Sequence, residues 1–464
     1  MSAAPIHIMY AMGSLWFESA LLPTGWARDV RVTSTGGLIE RVLAGVEPAP
    51  DDERHRVALP GLGNLHSHAF QRGLAGLTER RGTEGDSFWT WRERMYGFLE
   101  RVGPEELEAL AALAFAEMLE AGFTRVGEFH YLHHDRGGGA FADPGELAGR
   151  LAAAAAATGI ALTLLPALYA HGGFGGAPPG ARQRRFINDP ERFARIVEAS
   201  RRAVGTLTGG GVGVAAHSLR AVTPHELAAV IALARGSVIH LHIAEQLREV
   251  DECLAWSGRR PVQWLLENAP VDERWCLVHA THATPEELRG VAARGAVVGL
   301  CPVTEASLGD GIFPAADFLT AGGRSGIGTD SNIRVDAAEE LRTLEYSQRL
   351  AHRARNVLAA AAGASTGRSL FDAALAGGSQ ALNPPGPAGL AAGAPLDVVS
   401  LAADHPALIE RSGDEVLDSW IFAGDRGLVD GVWRAGVKLV SGGRHRDRDA
   451  IEARYARALR TLLA

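Results

Sequence analysis

The sequence predicts an α/β protein in which a (β/α)8 barrel carries a small β-sandwich domain formed from both chain ends. Three observations carry that expectation. From residue 57 to about residue 381, eight short apolar stretches alternate with Ala- and Leu-rich amphipathic runs, the pattern a closed parallel barrel requires. Strand-like segments with turns precede and follow that span, and these are expected to pair with one another. The length of 464 residues suits two or three domains, or one barrel with an accessory domain.

The elements follow in order. Short strands are expected at 6–10, 15–20, 30–33 and 38–44, with acidic residues 51–53 ending the segment. The eight barrel strands are expected at 61–66, 125–129, 160–165, 212–216, 238–243, 276–279, 296–300 and 325–328. Helical runs lie between them, at 104–121, 190–204 and 285–294 among others. Residues 151–170 carry no charge and are long enough to cross a bilayer, but alanines 152–157 are weakly apolar and Gly159 and Pro166 punctuate the stretch. The end of a helix, a turn at 158–159 and a buried strand from 160 explain it better. A Pro/Gly/Ala linker covers 384–395, strands resume at 396–401, 420–423 and 432–441, and a helix closes the chain at 449–463. The division is therefore 1–56 with 389–445 as the composite β-domain, 57–388 as the barrel and 446–464 as a terminal helix.

Composition narrows the function. Apolar residues at 47% and charged residues at 22% provide for a large core. The 46 basic and 54 acidic residues leave a formal charge of −8, which argues against a protein built on phosphate contacts to nucleic acid. Cys253, Cys276 and Cys301 form no Cys-x-x-Cys pair and are odd in number, which suits a reducing cytoplasm. The N-terminus has no basic region before its apolar run, so neither a signal peptide nor a membrane anchor is expected. Lys438 is the only lysine, so a P-loop is absent and cationic recognition falls to arginine.

Histidines mark the chemistry. His66 and His68 stand two apart in GLGNLHSH at the end of the first barrel strand, so both imidazoles share one face and point into the barrel mouth. His242 ends the fifth strand, His279 the sixth and Asp330 the eighth, at the face where such barrels carry their active sites. His66, His68, His242 and Asp330 offer three nitrogens and one oxygen, a zinc-like set with a position open to water. A lone histidine is more often structural. Agreement at four strand ends makes the metal reading specific.

This pattern resembles the amidohydrolase superfamily, whose barrels carry His-x-His on strand one, His on strands five and six, and Asp on strand eight. The resemblance covers nearly the whole chain, including the split β-domain. Some members bind two metals through a carboxylated lysine on strand four, but here that strand ends in His217, so one divalent ion per chain, zinc, is expected. Longer stretches narrow the resemblance: NLHSHAFQ (64–71), SFWTWR (87–92), EFHYLHHD (128–135), HSLRAVTP (217–224), HIAEQ (242–246), AWSGRR (255–260), RWCLVHATH (274–282) and LGDGIFP (308–314). Together they are similar to the formimidoylglutamate deiminase family, which hydrolyses N-formimidoyl-L-glutamate to N-formyl-L-glutamate and ammonia in bacterial histidine degradation. Two positions depart from its pattern: Pro302 in CPVTEASL, and Asn332, where a histidine can stand. Asn332 lies close to a ligand, which leaves fine substrate preference open.

The resemblance implies a role for each residue. The formimidoyl group is an amidine with an electrophilic carbon, and the metal brings a bound water to a pKa of about 7, giving the attacking hydroxide. Asp330 is implied to hold that water's proton as well as the metal, and Glu245 to carry a proton to the departing ammonia. His279 sits over the tetrahedral centre, as a further nitrogen near the metal or, the favoured role, as a polarising donor. Arg92 and Arg220 are implied clamps for the two carboxylates, a task that suits the guanidinium fork, with Gln71, Tyr131 and His217 touching the rest of the ligand. Trp89 and Trp91 either wall the pocket or pack, and His130, His133 and His134 are expected to be structural. The partner is thus a small molecule, with a homodimer implied by the family. The rivals are a sibling deaminase acting on another amidine or a nucleobase, which needs a flat aromatic slot, and a non-catalytic barrel used as a scaffold.

Overall fold

The structure, a computed structural model, describes residues 13–83 and 85–464, so the strand expected at 6–10 lies outside the described residues. Four strands come first: β1 (Gly13–Leu22), β2 (Gly25–Thr35), β3 (Leu38–Leu43) and β4 (Glu53–Pro60). The barrel follows as β5 (Leu62–Ser67), β6 (Phe123–His130), β7 (Ala161–Leu168), β8 (Gly211–Val212), β9 (Val214–Ser218), β10 (Ile239–Ile243), β11 (Trp275–His279), β12 (Val297–Leu300) and β13 (Arg324–Ile327). β8 and β9 both pair with β7 and act as one interrupted strand, so the ring holds the eight positions the sequence predicts. Neighbours are parallel throughout, in the order β13-β12-β11-β10-β9-β7-β6-β5.

The helices between them start where local chemistry says they should. Pro104, Pro190, Pro224, Pro261, Pro285 and Pro302 each begin a helix, where the missing proline N–H costs nothing. Asp189 caps the helix Pro190–Val204 by accepting from the Arg192 amide at 2.7 Å. The uncharged stretch at 151–170 divides into the end of the helix Glu146–Thr158, a left-handed Gly159 (φ 82°) and the buried strand β7. No helix among the described residues is long and apolar enough to cross a membrane. Inside the barrel, Leu65, Cys276, Val278, Val297, Cys301, Ala381 and Leu382 form a separate small core. Gly299 makes room for it, since a Cβ there would stand 2.7 Å from Leu65 Cδ1.

The C-terminal strands are β14 (Val398–Leu401), β15 (Val429–Arg434), β16 (Val437–Ser441) and β17 (Arg444–His445). They join the N-terminal strands in one sheet, ordered β17-β16-β15-β14-β4-β1-β2-β3. The two chain ends meet where β4 pairs antiparallel with β14, and Leu15, Phe17, Val30, Val32, Ile39, Leu396, Val398 and Trp433 belong to a core of this sheet's own.

Three local expectations are corrected. Residues 420–423 are not a strand: they end the helix Asp414–Phe422, whose buried Val416, Leu417, Trp420 and Ile421 recur at helical spacing that a four-residue window hides. Residues 432–441 are two strands, because Ala435 (φ 47°) and Gly436 (φ 77°) turn the chain in a two-residue hairpin. The acidic run at 51–53 does not end the N-terminal strands, since Glu53 opens β4, which runs across residue 56.

Candidate metal centre and active site

The carboxyl ends of the barrel strands gather the expected ligands. His66 lies in β5 with His68 just beyond it, His242 lies in β10, and Asp330 follows β13. All four are buried, and their ligand atoms fall within 4.8 Å of one another. His242 Nε2 is 3.0 Å from His66 Nε2 and 3.4 Å from His68 Nε2, while Asp330 Oδ1 is 3.4 Å from Nε2 of both His66 and His68.

Orientation is set from behind. Nδ1 of His68 donates to the Phe129 carbonyl and Nδ1 of His242 to the His217 carbonyl, each at 2.8 Å. A neutral imidazole protonated at Nδ1 carries its lone pair on Nε2. Two such lone pairs and a carboxylate aimed at one point repel unless a cation sits among them, so this donor set fits a divalent metal. Burial, reinforced by the crowding of the imidazoles, holds His66 and His242 well below the usual histidine range and keeps them in the neutral form that binds metal.

Side chains also lock the seam between the first and last barrel strands. A single bridge, Ser67 to Asp330, joins β5 to the segment after β13. Thr329 and Asp330 both donate their amides to the His66 carbonyl at 3.0 Å, and the His68 amide donates to the Asp330 carbonyl at 2.9 Å. Asn64 Nδ2 donates to Thr329 Oγ1 (2.7 Å), which donates to Asn332 Oδ1 (2.6 Å), and Asn332 Nδ2 reaches Ser67 Oγ (3.1 Å). A Cβ on Gly328 would stand 2.7 Å from the His66 carbonyl oxygen. Asn332 is therefore fully buried in this seam and absent from the cavity lining. Pro302 simply opens the helix Pro302–Leu308.

Over the cluster sit the groups that the sequence expects to handle protons. His279 Nε2 is 3.9 Å from Glu245 Oε1 and 4.0 Å from Asp330 Oδ2. Its Nδ1 lies 3.2 Å from Glu305 Oε1, which also accepts the Cys301 amide at 2.9 Å. Burial disfavours the imidazolium, but Glu245, Glu305 and Asp330 outweigh it and push the His279 pKa up to about 10. Burial raises the Glu245 carboxyl to about 7, with His279 and Arg220 opposing and Asp330 and Glu249 adding to the rise. Asp310, buried beside these acids and accepting from Gln246 Nε2, is pushed up to about 9. Ala244, His279, Ala280, Asp330 and Asn332 all hold positive φ, so strained backbone clusters at these strand ends.

The opposite wall is cationic. Arg92 and Arg220 line the cavity, and each has a buried Nε without a hydrogen-bond partner. The Arg92 guanidinium stacks 4.6 Å over Trp89 and 5.5 Å over Tyr96. Gln71 Nε2 reaches the Tyr131 hydroxyl at 3.5 Å while its buried Oε1 is unpaired. His217 packs on Tyr169 (4.4 Å), Tyr131 (5.1 Å) and His242 (5.0 Å), so one ring touches both walls. Burial forces the Tyr131 hydroxyl to stay neutral.

One cavity thus gathers Gln71, Arg92, Tyr131, His217 and Arg220 with His68, His242, Glu245, His279 and Asp330, while His66 is fully buried and outside its lining. Trp91 lines the wall, and Trp89 packs on the arginines. His133 and His134 turn away to the Ala167 and Ile187 carbonyls. Sequence reasoning missed Met95 and Tyr96 in the lining, and the buried acids Glu249, Glu305 and Asp310 behind it. Helical spacing from Arg92 could have found the first two, and the HIAEQ, CPVTEASL and LGDGIFP stretches contain or adjoin the others. Lys438, paired with Glu53 at 2.7 Å in the composite sheet, takes no part.

Comparison with known proteins agrees with this geometry. Residues 57–439 match the Amidohydrolase family and residues 12–56 match the formimidoylglutamate deiminase HutF N-terminal domain. A formimidoylglutamate deiminase of Pseudomonas aeruginosa is 51% identical over 96% of this chain and 98% of its own length. An 8-oxoguanine deaminase of the same species is 28% identical over 93% of this chain and 94% of its own. Among solved structures, an amidohydrolase from Brucella melitensis shares 56% identity, with a TM-score of 0.95 over 97% of this chain and 100% of that one. The chain belongs to the amidohydrolase family, among the formimidoylglutamate deiminases.

Proposed function

We propose that this chain hydrolyses N-formimidoyl-L-glutamate to N-formyl-L-glutamate and ammonia, with one zinc ion held by His66, His68, His242 and Asp330. The observation that carries the reading is the pair of guanidiniums, Arg92 and Arg220, each with a buried Nε that lacks a hydrogen-bond partner, lining the same cavity as that cluster. Buried donors without partners are costly, and a dicarboxylate supplies what they lack. The likeness to the P. aeruginosa enzyme supports the same substrate.

Bound at the cluster, a divalent cation supplies Lewis acidity that makes water a nucleophile at neutral pH. Arg92 and Arg220 hold the two carboxylates, and Gln71, Tyr131 and His217 orient the chain between them, so that the amidine carbon faces the cluster. Glu245 takes a proton from the attacking water as the new C–O bond forms. It returns that proton to the amidinium nitrogen, Asp330 takes the remaining hydroxyl proton as the C=O bond forms, the C–N bond breaks, and ammonia leaves a formamide behind. His279, steadied at Nδ1 by Glu305, directs Nε2 at the charge that develops on the tetrahedral carbon's substituents.

Three buried, unpaired cysteines support a reducing cytoplasm as its location, and the expected homodimer rests on family resemblance. The test is ammonia release by zinc-loaded protein from N-formimidoyl-L-glutamate, with guanine, cytosine and simple N-formimidoyl amino acids alongside. Turnover of the glutamate compound alone supports the proposal. Turnover of a nucleobase alone replaces it with the sibling-deaminase reading.

A further inference from the structure

The charges around Arg220 include one that the reaction above does not use. Glu249 lies in the first turn of the helix Leu247–Ser257 and is fully buried. Its Oε2 accepts the backbone N–H of Glu245 at 3.2 Å. Its Oε1 stands 4.0 Å from Arg220 Nε, and neither of these two atoms has a hydrogen-bond partner. The pair is near enough for each charge to neutralise the other, yet too far apart to bond. A buried guanidinium with no counter-charge is strongly unfavourable, so the ligand-free protein needs Glu249. The same negative charge opposes any anion that docks on Arg220.

We propose that Glu249 is a resident counter-ion that competes with the substrate carboxylate for Arg220, weakening the hold on dianionic ligands so that product can leave. This rests on the dicarboxylate reading given above. Hydrolysis exchanges an amidine for a formamide and leaves both carboxylates in place, so the product keeps the handle that drew the substrate in. Binding energy spent equally on substrate and product slows release without aiding the chemistry. With Glu249 in place, Arg220 is never left bare as the product departs. The second oxygen adds a positioning role: it pins the amide of Glu245 beside Ala244, whose φ is 50°, so one carboxylate both tempers the clamp and fixes the backbone of the proton carrier.

Glu249→Gln separates the two roles, because the amide oxygen still accepts the Glu245 N–H while the charge is gone. Calorimetric titration of the metal-loaded protein with N-formyl-L-glutamate should show binding at least about five-fold tighter than in the parent, with KM falling in step. The uncharged diamide of the same compound should bind both proteins equally. Glu249→Asp, which retracts the charge by one methylene, should fall between them, and it reads the same quantity should Glu249→Gln fail to fold. Unchanged or weaker binding of N-formyl-L-glutamate, or equal tightening of the diamide, overturns the counter-ion role. Arg220→Gln tells the two readings apart. If the parent binds the dianion and Arg220→Gln does not, a missing Glu249 effect refutes Glu249 alone. If the parent and Arg220→Gln bind it equally poorly, the dicarboxylate reading itself fails.

Discussion

The two walls of the cavity are built on opposite plans. On the histidine wall, the groups behind the ligands are paired: carbonyls fix His68 and His242, and the seam of Asn64, Thr329 and Asn332 fixes the strands that carry His66 and Asp330. Among the four ligands His66 is the exception, its Nδ1 lacking a partner. On the arginine wall, Arg92 Nε, Arg220 Nε and Gln71 Oε1 are buried and unpaired, and aromatic rings support the guanidiniums in place of hydrogen bonds. A metal site must be assembled before its ion arrives, because small displacements of the ligands spoil the coordination. A substrate site can leave polar atoms unsatisfied, because the ligand completes them at the moment of binding and gains affinity by doing so.

If that contrast holds, damage to the two walls must read out differently. His66→Ala should lose both metal content and turnover, and full metal occupancy measured in that variant would remove His66 from the ligand set. Glu245→Gln should keep the metal and lose about 10²–10⁴ in kcat, because only proton transfer fails. Arg220→Gln or Arg92→Gln should leave the metal in place and raise KM by at least about 30-fold, the cost of breaking a buried charge pair with the substrate. Purine or pyrimidine turnover untouched by these changes would instead mean that the arginines serve no carboxylate. Asn332→Ala should act on the other wall alone, weakening metal affinity by about 10–100-fold in a chelator competition while the Kd for N-formyl-L-glutamate stays put.

The same contrast explains what was legible in the sequence. The ligands could be read because strand geometry is periodic: His66 and His68 must share a face, and strand ends must meet at the barrel mouth. The proposed carboxylate clamps were not readable from spacing, since Arg92 sits on the helix Phe88–Leu99 and Arg220 on a turn after β9. Only family resemblance singled them out among the 45 arginines. Glu249 and Glu305 escaped because an acid on a helix reads as solvent-facing, and the fold alone buries it. Asn332 could not be placed from the sequence for a related reason: proximity to Asp330 left its bearing on the substrate open, and only the left-handed turn at 330–332 shows it directed back into the seam. In the composite sheet, the helix Asp414–Phe422 was mistaken for a strand because short apolar runs carry no period.

Histidines outside the site sharpen the comparison with the smallest expected effect. His133 and His240 are buried like the ligands, but each bonds a backbone carbonyl through Nε2, that of Ala167 at 3.0 Å and of Ala381 at 2.9 Å. Burial pulls their pKa values down to about 3 and about 4, with the carbonyl bonds only partly opposing it. In the unfolded chain a histidine titrates at about 6.5. Below that pH the unfolded state takes up a proton that the folded state refuses, so stability is complete above about 6.5 and falls as the solution is acidified. Each group should contribute about 1.4 kcal/mol per pH unit until its own folded pKa is reached. Thermal melting between pH 8 and pH 4 measures the slope. His133→Gln and His240→Gln keep an amide nitrogen for the carbonyl and remove the titration, so each should flatten the acid limb without touching metal content at neutral pH. An acid limb that both substitutions leave unchanged would assign the sensitivity to other histidines that burial holds neutral, His66, His130, His217 and His242 among them.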